Sequence, residues 1–457
     1  MDYSAVNHDL WNLIIQLGFI ACAIWGANIL RRKVPFMNKL LMPVSVMAGF
    51  LLLILKTIGI YRPAMETLEM LVYHSIALGF IAMSLRTAVP SEDKETKSIG
   101  FKSGAIIVGT YLVQAIAGLI ITIGLAYTFK PEMFKAAGLL LPMGFGQGPG
   151  QANNIGGSYE SLGFAGGRSF GLSVAAAGYV CACTLGVVIL NRWKKRGLLH
   201  DGRPENYDET KIPGFFQNSN EIPIADSIDK FSMQIVMLLI VYLATYLVTW
   251  GMTSGIAAIS PALANLLNSL LWGFNFIIGS VLATLVRVGL AKGQKIGLIT
   301  RQYQNNYLLN RISGFFFDLM IVAGIASIDL GDIRGLWIPF ILMVVSGAAL
   351  TWYYLYMVCK RTYGSYYREG VISMYGMLTG TIGSGILLLR EIDPELKTPA
   401  ANNLVLGSSY GIILGAPLLV FVSLAAKSTL MCLITLALII VYLAALTFIL
   451  MRKPKQK

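Results

Sequence analysis

Runs of about twenty apolar residues, repeated along the whole chain and separated by charge, constrain its fold more than any other feature. They fall at 10–30, 40–58, 67–85, 103–129 and 163–190, and then at 231–249, 266–285, 313–328, 336–358, 402–424 and 429–450. A helix needs about 20 apolar residues to cross roughly 30 Å of hydrocarbon. Charged residues make up 13% of the 457 positions, against about 25% in an ordinary soluble domain. The sequence therefore predicts an all-α polytopic membrane protein.

The formal net charge is +13. Nucleic-acid binding does not follow from it, because nearly all the charges lie between the apolar blocks. They read instead as topology determinants. With the N-terminus outside, 29 of the 36 Lys and Arg residues fall on the inner side. The opposite orientation reverses this and violates the positive-inside rule. The expected location is the cell (inner) membrane, multi-pass, with a cytoplasmic C-terminus. The first nine residues carry no Lys or Arg, so the first block reads as a retained helix and not as a secretory signal. The five cysteines lie in or beside apolar blocks, without metal-binding spacing, and read as small packing residues.

Two further apolar segments do not read as spans. Residues 134–160 contain GLLLPMGFGQGPGQANNIGG, with seven glycines and two prolines between Gly138 and Gly157. Residues 366–392 contain GVISMYGMLTGTIGSGILLL. Glycine and proline break a continuous lipid-facing helix. Irregular backbone is tolerated at membrane depth only inside protein or beside a water-filled cavity. Both segments are therefore expected to be re-entrant hairpins, the first opening from outside and the second from inside. The chain then divides into two inverted-topology repeats of five transmembrane helices, each with one hairpin, at 1–190 and 230–425. A cytoplasmic linker covers 191–229. One extra C-terminal helix with a basic tail covers 426–457. Inverted repeats with broken helices meeting near the midplane are the architecture of secondary transporters.

The hairpin tips hold the candidate site. In the first they are Gly146, Gln147 and Gly148, followed by Gln151, Asn153 and Asn154. In the second they are Thr379, Gly380, Thr381 and Ser384. The open N–H groups of a broken helix suit a carboxylate. Carbonyls and the hydroxyls of Thr379, Thr381 and Ser384 suit a dehydrated sodium ion. The alternative is that the glycines only allow close helix packing. Intramembrane ionisable groups are functional candidates because lipid burial is costly. Asp318 is placed either to bind sodium or carry a proton, or to serve as a structural partner to a hydroxyl or basic residue or sit at the interface. Arg168 is placed either to pair an anionic substrate or to anchor an interface. Arg390, beside Glu391 and Asp393, reads as a cytoplasmic anchor, and His74 as a hydrogen-bonded packing residue. Thr381-Ile382-Gly383-Ser384-Gly385 is similar to a potassium filter, but such a filter requires loops entering from one side. The three histidines, His8, His74 and His200, are widely spaced, and neither a nucleophile elbow nor a metal cluster is present, so the chain does not read as an enzyme.

The glycine-rich GFGQGPGQANNIGG, together with Thr379-Gly380-Thr381 followed by Leu388-Leu389-Arg390 and Asp393-Pro394, resembles the hairpin signatures of the glutamate:sodium symporter family, and more distantly the citrate:sodium symporters. The first tip reads Gly-Phe-Gly-Gln where that family more usually has Gly-Gly-His-Gly. The resemblance implies a homodimer, an elevator-type movement, sodium as coupling ion without a further cofactor, and a small organic anion held by Gly146, Gln147, Gly148, Thr379, Gly380 and Thr381. The expected function is sodium-coupled symport of glutamate or a related amino acid or dicarboxylate. The alternatives are proton-coupled or exchange transport of another organic anion, with Asp318 carrying the proton, and an ion channel.

Overall fold

The computed structural model describes residues 8–35, 37, 41–87, 94–196, 198, 224–259, 271–273, 275–299, 303–393 and 398–451. Most of the expected linker, part of the block at 266–285, the Pro394 of the second signature, His200 and the basic tail lie outside the described residues. Among the described residues, fourteen α-helices follow in chain order. They are α1 (His8–Lys33), α2 (Val44–Thr57), α3 (Met65–Leu85), α4 (Lys94–Tyr127), α5 (Pro149–Glu160), α6 (Gly167–Lys195) and α7 (Ile224–Ile259). Then come α8 (Asn275–Lys295), α9 (Asn306–Ala326), α10 (Trp337–Thr362), α11 (Tyr367–Thr379), α12 (Ile382–Arg390), α13 (Ala400–Ala425) and α14 (Thr429–Met451).

Ten of these helices are long and apolar enough to cross a membrane. The sequence blocks had implied eleven. The difference is α2, which has 14 residues and so a length of about 21 Å at 1.5 Å per residue, short of the roughly 30 Å core. Pro43 starts it, and a turn through Gly59, at φ +82°, ends it beyond Ile58. The apolar run outlasts the helix at both ends. α8 covers the later part of its block and closes on Lys292 and Lys295, as α1 closes on Arg31, Arg32 and Lys33 and α10 on Lys360 and Arg361. Basic residues in a last turn also complement the helix dipole.

The described residues form two compact units. The first comprises 1–69, 91–203 and 321–457, and the second 70–90 and 204–320. The division falls inside α3 and α9, so each unit draws on both halves of the sequence. Within the first unit α4 is central, packed by α10, α13 and α14. It is buried along most of its length, with Ile106, Leu112, Ala115 and Leu119 fully enclosed. Burying each large aliphatic side chain contributes about 1.5–3 kcal/mol where the alternative is water; against lipid, close packing replaces that driving force. Within the second unit Ile81, Leu85, Leu238, Val241, Leu309 and Ile312 make a separate core.

Candidate functional site

The two glycine-rich segments are broken helices. In the first, a short 3-10 turn (Lys135–Leu139) and a π-turn (Pro142–Gly146) lead down to Gln147 and Gly148, where α5 begins. Pro142 and Pro149 each occupy the first turn of the element they open. Proline has no N–H to lose there, and its fixed φ suits a helix start. Gly148 makes the break possible, because its φ of +86° is open to glycine and strained for other residues. Phe134, which precedes the segment, has its ring 5.2 Å from that of Tyr159, near the end of α5. The two ends of the segment are thus neighbours.

In the second segment α11 runs to Thr379, Gly380 breaks it, and α12 starts from Thr381. The Thr381 hydroxyl caps α12 by accepting from the Ser384 amide at 3.4 Å. The two helices pack against each other through glycine. A methyl group on Gly385 would lie 2.4 Å from the Ser373 carbonyl oxygen, and one on Gly376 would lie 2.8 Å from Gly385 Cα. Only a chain that doubles back makes those contacts.

The two breaks converge within the first unit. α6 passes between them at Gly178, where a Cβ would lie 2.3 Å from the Thr379 carbonyl oxygen and 3.0 Å from the Phe145 ring. Tyr179 borders both Gly148 and Gly380. From α4, Gln114 donates from Nε2 to the Leu378 carbonyl and to Thr351 Oγ1, each at 2.9 Å. Its Oε1 lies against Gly146 and has no hydrogen-bond partner among the described residues. Gln151 Oε1 and Asn153 Oδ1 are likewise buried without partners, their side chains 2% and 5% exposed. Buried polar atoms are ordinarily bonded; Gln114 Oε1 lies against the first break, and Gln151 and Asn153 sit on the first turns of α5 just after it. The first-turn N–H groups of α5 and α12 supply donors to the same neighbourhood.

The expected residues are distributed as follows. Gly146, Gly148, Gln151, Asn153, Thr379, Gly380 and Ser384 are buried at or next to the breaks, while Gln147, Asn154 and Thr381 are partly exposed there. The Thr379 hydroxyl donates to the Tyr375 carbonyl at 2.8 Å, which turns its lone pairs, not its proton, toward any ion. Arg168 is elsewhere. It begins α6, about 15 Å along the helix from Gly178, and pairs with Glu69 and, at 3.2 Å, with Glu160. Its amide also donates to Glu160 Oε1 at 3.0 Å. Burial pushes the Glu160 carboxyl above its ordinary value; the Arg168 amide opposes this and Asp332 adds to it. Arg168 thus fastens α5 to α6. Asp318 is exposed and belongs to the second unit. Asp393 Oδ2 accepts from Thr398 N and Oγ1, shortly before α13 begins. Arg390 is exposed, and His74 Nδ1 bonds the Tyr242 hydroxyl.

Sequence reasoning missed Gln114, Thr351, Gly178 and Tyr179. A signal existed for Gln114, which is an amide in the middle of the apolar run 103–129. No protein-family model matches the chain, and no curated protein matches it.

Proposed function

We propose that the chain is a secondary active transporter that holds a small organic anion and sodium between two re-entrant hairpins. The observation that carries this reading is the convergence of two helix breaks on Gln114, Gly178 and Tyr179 inside one compact unit. Two helix N-termini offer N–H groups to a carboxylate. The Thr379 carbonyl and the open oxygens of Gln114, Gln151 and Asn153 offer a hard oxygen set to sodium or to a substrate ammonium group. That pairing of donors and acceptors fits an amino acid such as glutamate, or a related dicarboxylate, better than it fits an uncharged solute. The resemblance of both tips to the glutamate:sodium symporters points the same way. On this reading the protein is a homodimer in the cell membrane, its N-terminus outside, and the unit bearing the breaks makes the elevator movement.

The test is uptake by purified protein in vesicles. An inward sodium gradient is expected to drive accumulation of labelled glutamate or a dicarboxylate. Replacing sodium by choline is expected to lower it at least tenfold. Uptake that ignores the replacement removes the coupling, and absence of uptake across a panel of amino acids and dicarboxylates removes the substrate class.

A further inference from the structure

At one end of the first unit, the last turns of α6 and α10 and the start of α11 meet through a run of rings. The Trp193 ring lies 5.3 Å from that of Trp352. Trp352 stacks on Tyr356 at 6.3 Å, and Tyr356 meets Tyr367 edge-on at 6.3 Å. The Arg368 guanidinium lies over the Tyr367 ring, 5.0 Å from its centroid, and its Nη1 donates to the Leu198 carbonyl at 2.6 Å. The chain after α6 folds back here, because the Trp193 carbonyl accepts from the Arg196 and Leu198 amides at 3.2 and 3.1 Å. These contacts close a circuit from Trp193 through α10 and α11 back to the end of α6. Arg196 sits in its closing turn, and Lys360 lies one helical turn beyond Tyr356.

The apolar spans of α6 and α10 stop at Trp193 and Thr362. The circuit therefore lies where hydrocarbon gives way to headgroups, the level that Trp and Tyr favour. Its charge is one-sided. Positions 185–196 and 352–368 carry seven Lys and Arg and no Asp or Glu, and Glu369 alone follows. Among the described residues, no ion pair engages any of these cations.

Two exposed stripes lead toward this end. On α6, Leu185, Val188, Arg192 and Lys195 are three or four positions apart and all exposed. On α10, Tyr353, Met357 and Arg361 are four apart and all exposed. Such spacing puts each set on one helix face. Each stripe runs from apolar or aromatic side chains to a cation, which is the order of an acyl chain and an anionic headgroup. Topology alone asks for cations on one side of the membrane, not at the foot of apolar stripes around a shared ring circuit. A soluble phosphate compound would leave the stripes unused, and a zwitterionic lipid brings its own cation. We propose that this end of the first unit binds an anionic phospholipid, its phosphate among Arg196, Lys360 and Arg361 and its chains along the two stripes. The inference rests on the membrane-spanning helices and not on the transport reading.

The test is the lipid selectivity of the full chain in phosphatidylcholine vesicles. It is read from the immobilised fraction of spin-labelled phosphatidylglycerol against that of spin-labelled phosphatidylcholine. The unaltered chain is expected to prefer phosphatidylglycerol about threefold, and about 1 M salt is expected to erase most of that preference by screening. Arg196→Gln with Lys360→Gln is expected to reduce the preference by roughly half. Lys292→Gln with Lys295→Gln removes the same charge from the end of α8 in the second unit and is expected to leave the preference intact. No preference in the unaltered chain overturns the proposal, whether or not any variant folds. Equal losses in the two double variants also overturn it, by making net charge the cause. Displacement of the lipid by millimolar glycerol phosphate overturns it as well, by assigning the cations to a soluble phosphate.

Discussion

Gln114 illustrates how one side chain can hold two interrupted elements in register. Its amide protons go to Leu378 in the second segment and to Thr351 on α10, and its oxygen faces Gly146 in the first. Replacing Gln114 by Leu keeps much of the volume and removes both donors. Leaving a buried acceptor unbonded costs about 1–3 kcal/mol, and here Leu378 O loses its side-chain donor in a water-poor interior. Gln114→Leu is therefore expected to lower the thermal midpoint of the purified protein by several degrees and to weaken substrate uptake. An unchanged midpoint with unchanged uptake would falsify the bridging role. The residue also shows what a sequence conveys and what it conceals. Glycine and proline in the first tip announce a broken helix from any reading of the chain. Gln114 lies 30 or more positions from that tip, and only packing brings it there. Arg168 shows the converse. Its charge draws attention in sequence, yet its neighbours Glu69 and Glu160 already neutralise it.

At the scale of elements, the apolar blocks translate into helices because the two periodicities involved, about twenty residues and basic punctuation, are both local. The translation fails where the local signal outruns the helix. The run 40–58 is apolar throughout, but Pro43 and the Gly59 turn confine α2 to 14 residues. The α11–α12 pair makes a sharper statement, since two of its glycines have opposite surroundings. A Cβ on Gly385 would meet the Ser373 carbonyl oxygen at 2.4 Å, whereas one on Gly383 would meet only Thr381 Oγ1, at 3.5 Å. Overpacking of this kind costs about 1–3 kcal/mol, and removing a helical glycine from an open position gains about 0.5–1 kcal/mol. Gly385→Ala is expected to lower the thermal midpoint, and Gly383→Ala to leave it level or raise it slightly. Equal effects of the two substitutions would mean that the helices are not held back to back.

For the whole molecule, the compact units and the sequence halves cut the chain differently, and the difference follows from physics. Sequence halves are visible as a repeated order of blocks and one polar linker. Compact units arise from which apolar faces find each other, and α3 and α9 each contribute to both. The charge partition adds a constraint across the whole chain. Arg31, Arg32 and Lys33 lie before α2 and Arg86 after α3. If both groups are to lie on the same side, α2 and α3 must together make a return crossing. At about 21 Å, α2 completes its share only with non-helical backbone at its ends. Such backbone is tolerated where protein encloses it, and Tyr61, just beyond α2, is 1% exposed with its hydroxyl bonded to Gln16. On the proposed topology, the two hairpins enter from opposite faces. Single cysteines at Gln147 and Thr381, in a chain cleared of its own five, are the probes for this arrangement. A membrane-impermeant thiol reagent is expected to reach Gln147→Cys mainly from outside and Thr381→Cys mainly from inside, and sodium with substrate is expected to slow both reactions. Labelling of both positions from one compartment in every condition would leave the breaks adjacent but end the inverted arrangement, and with it the route by which one site is exposed alternately to either side.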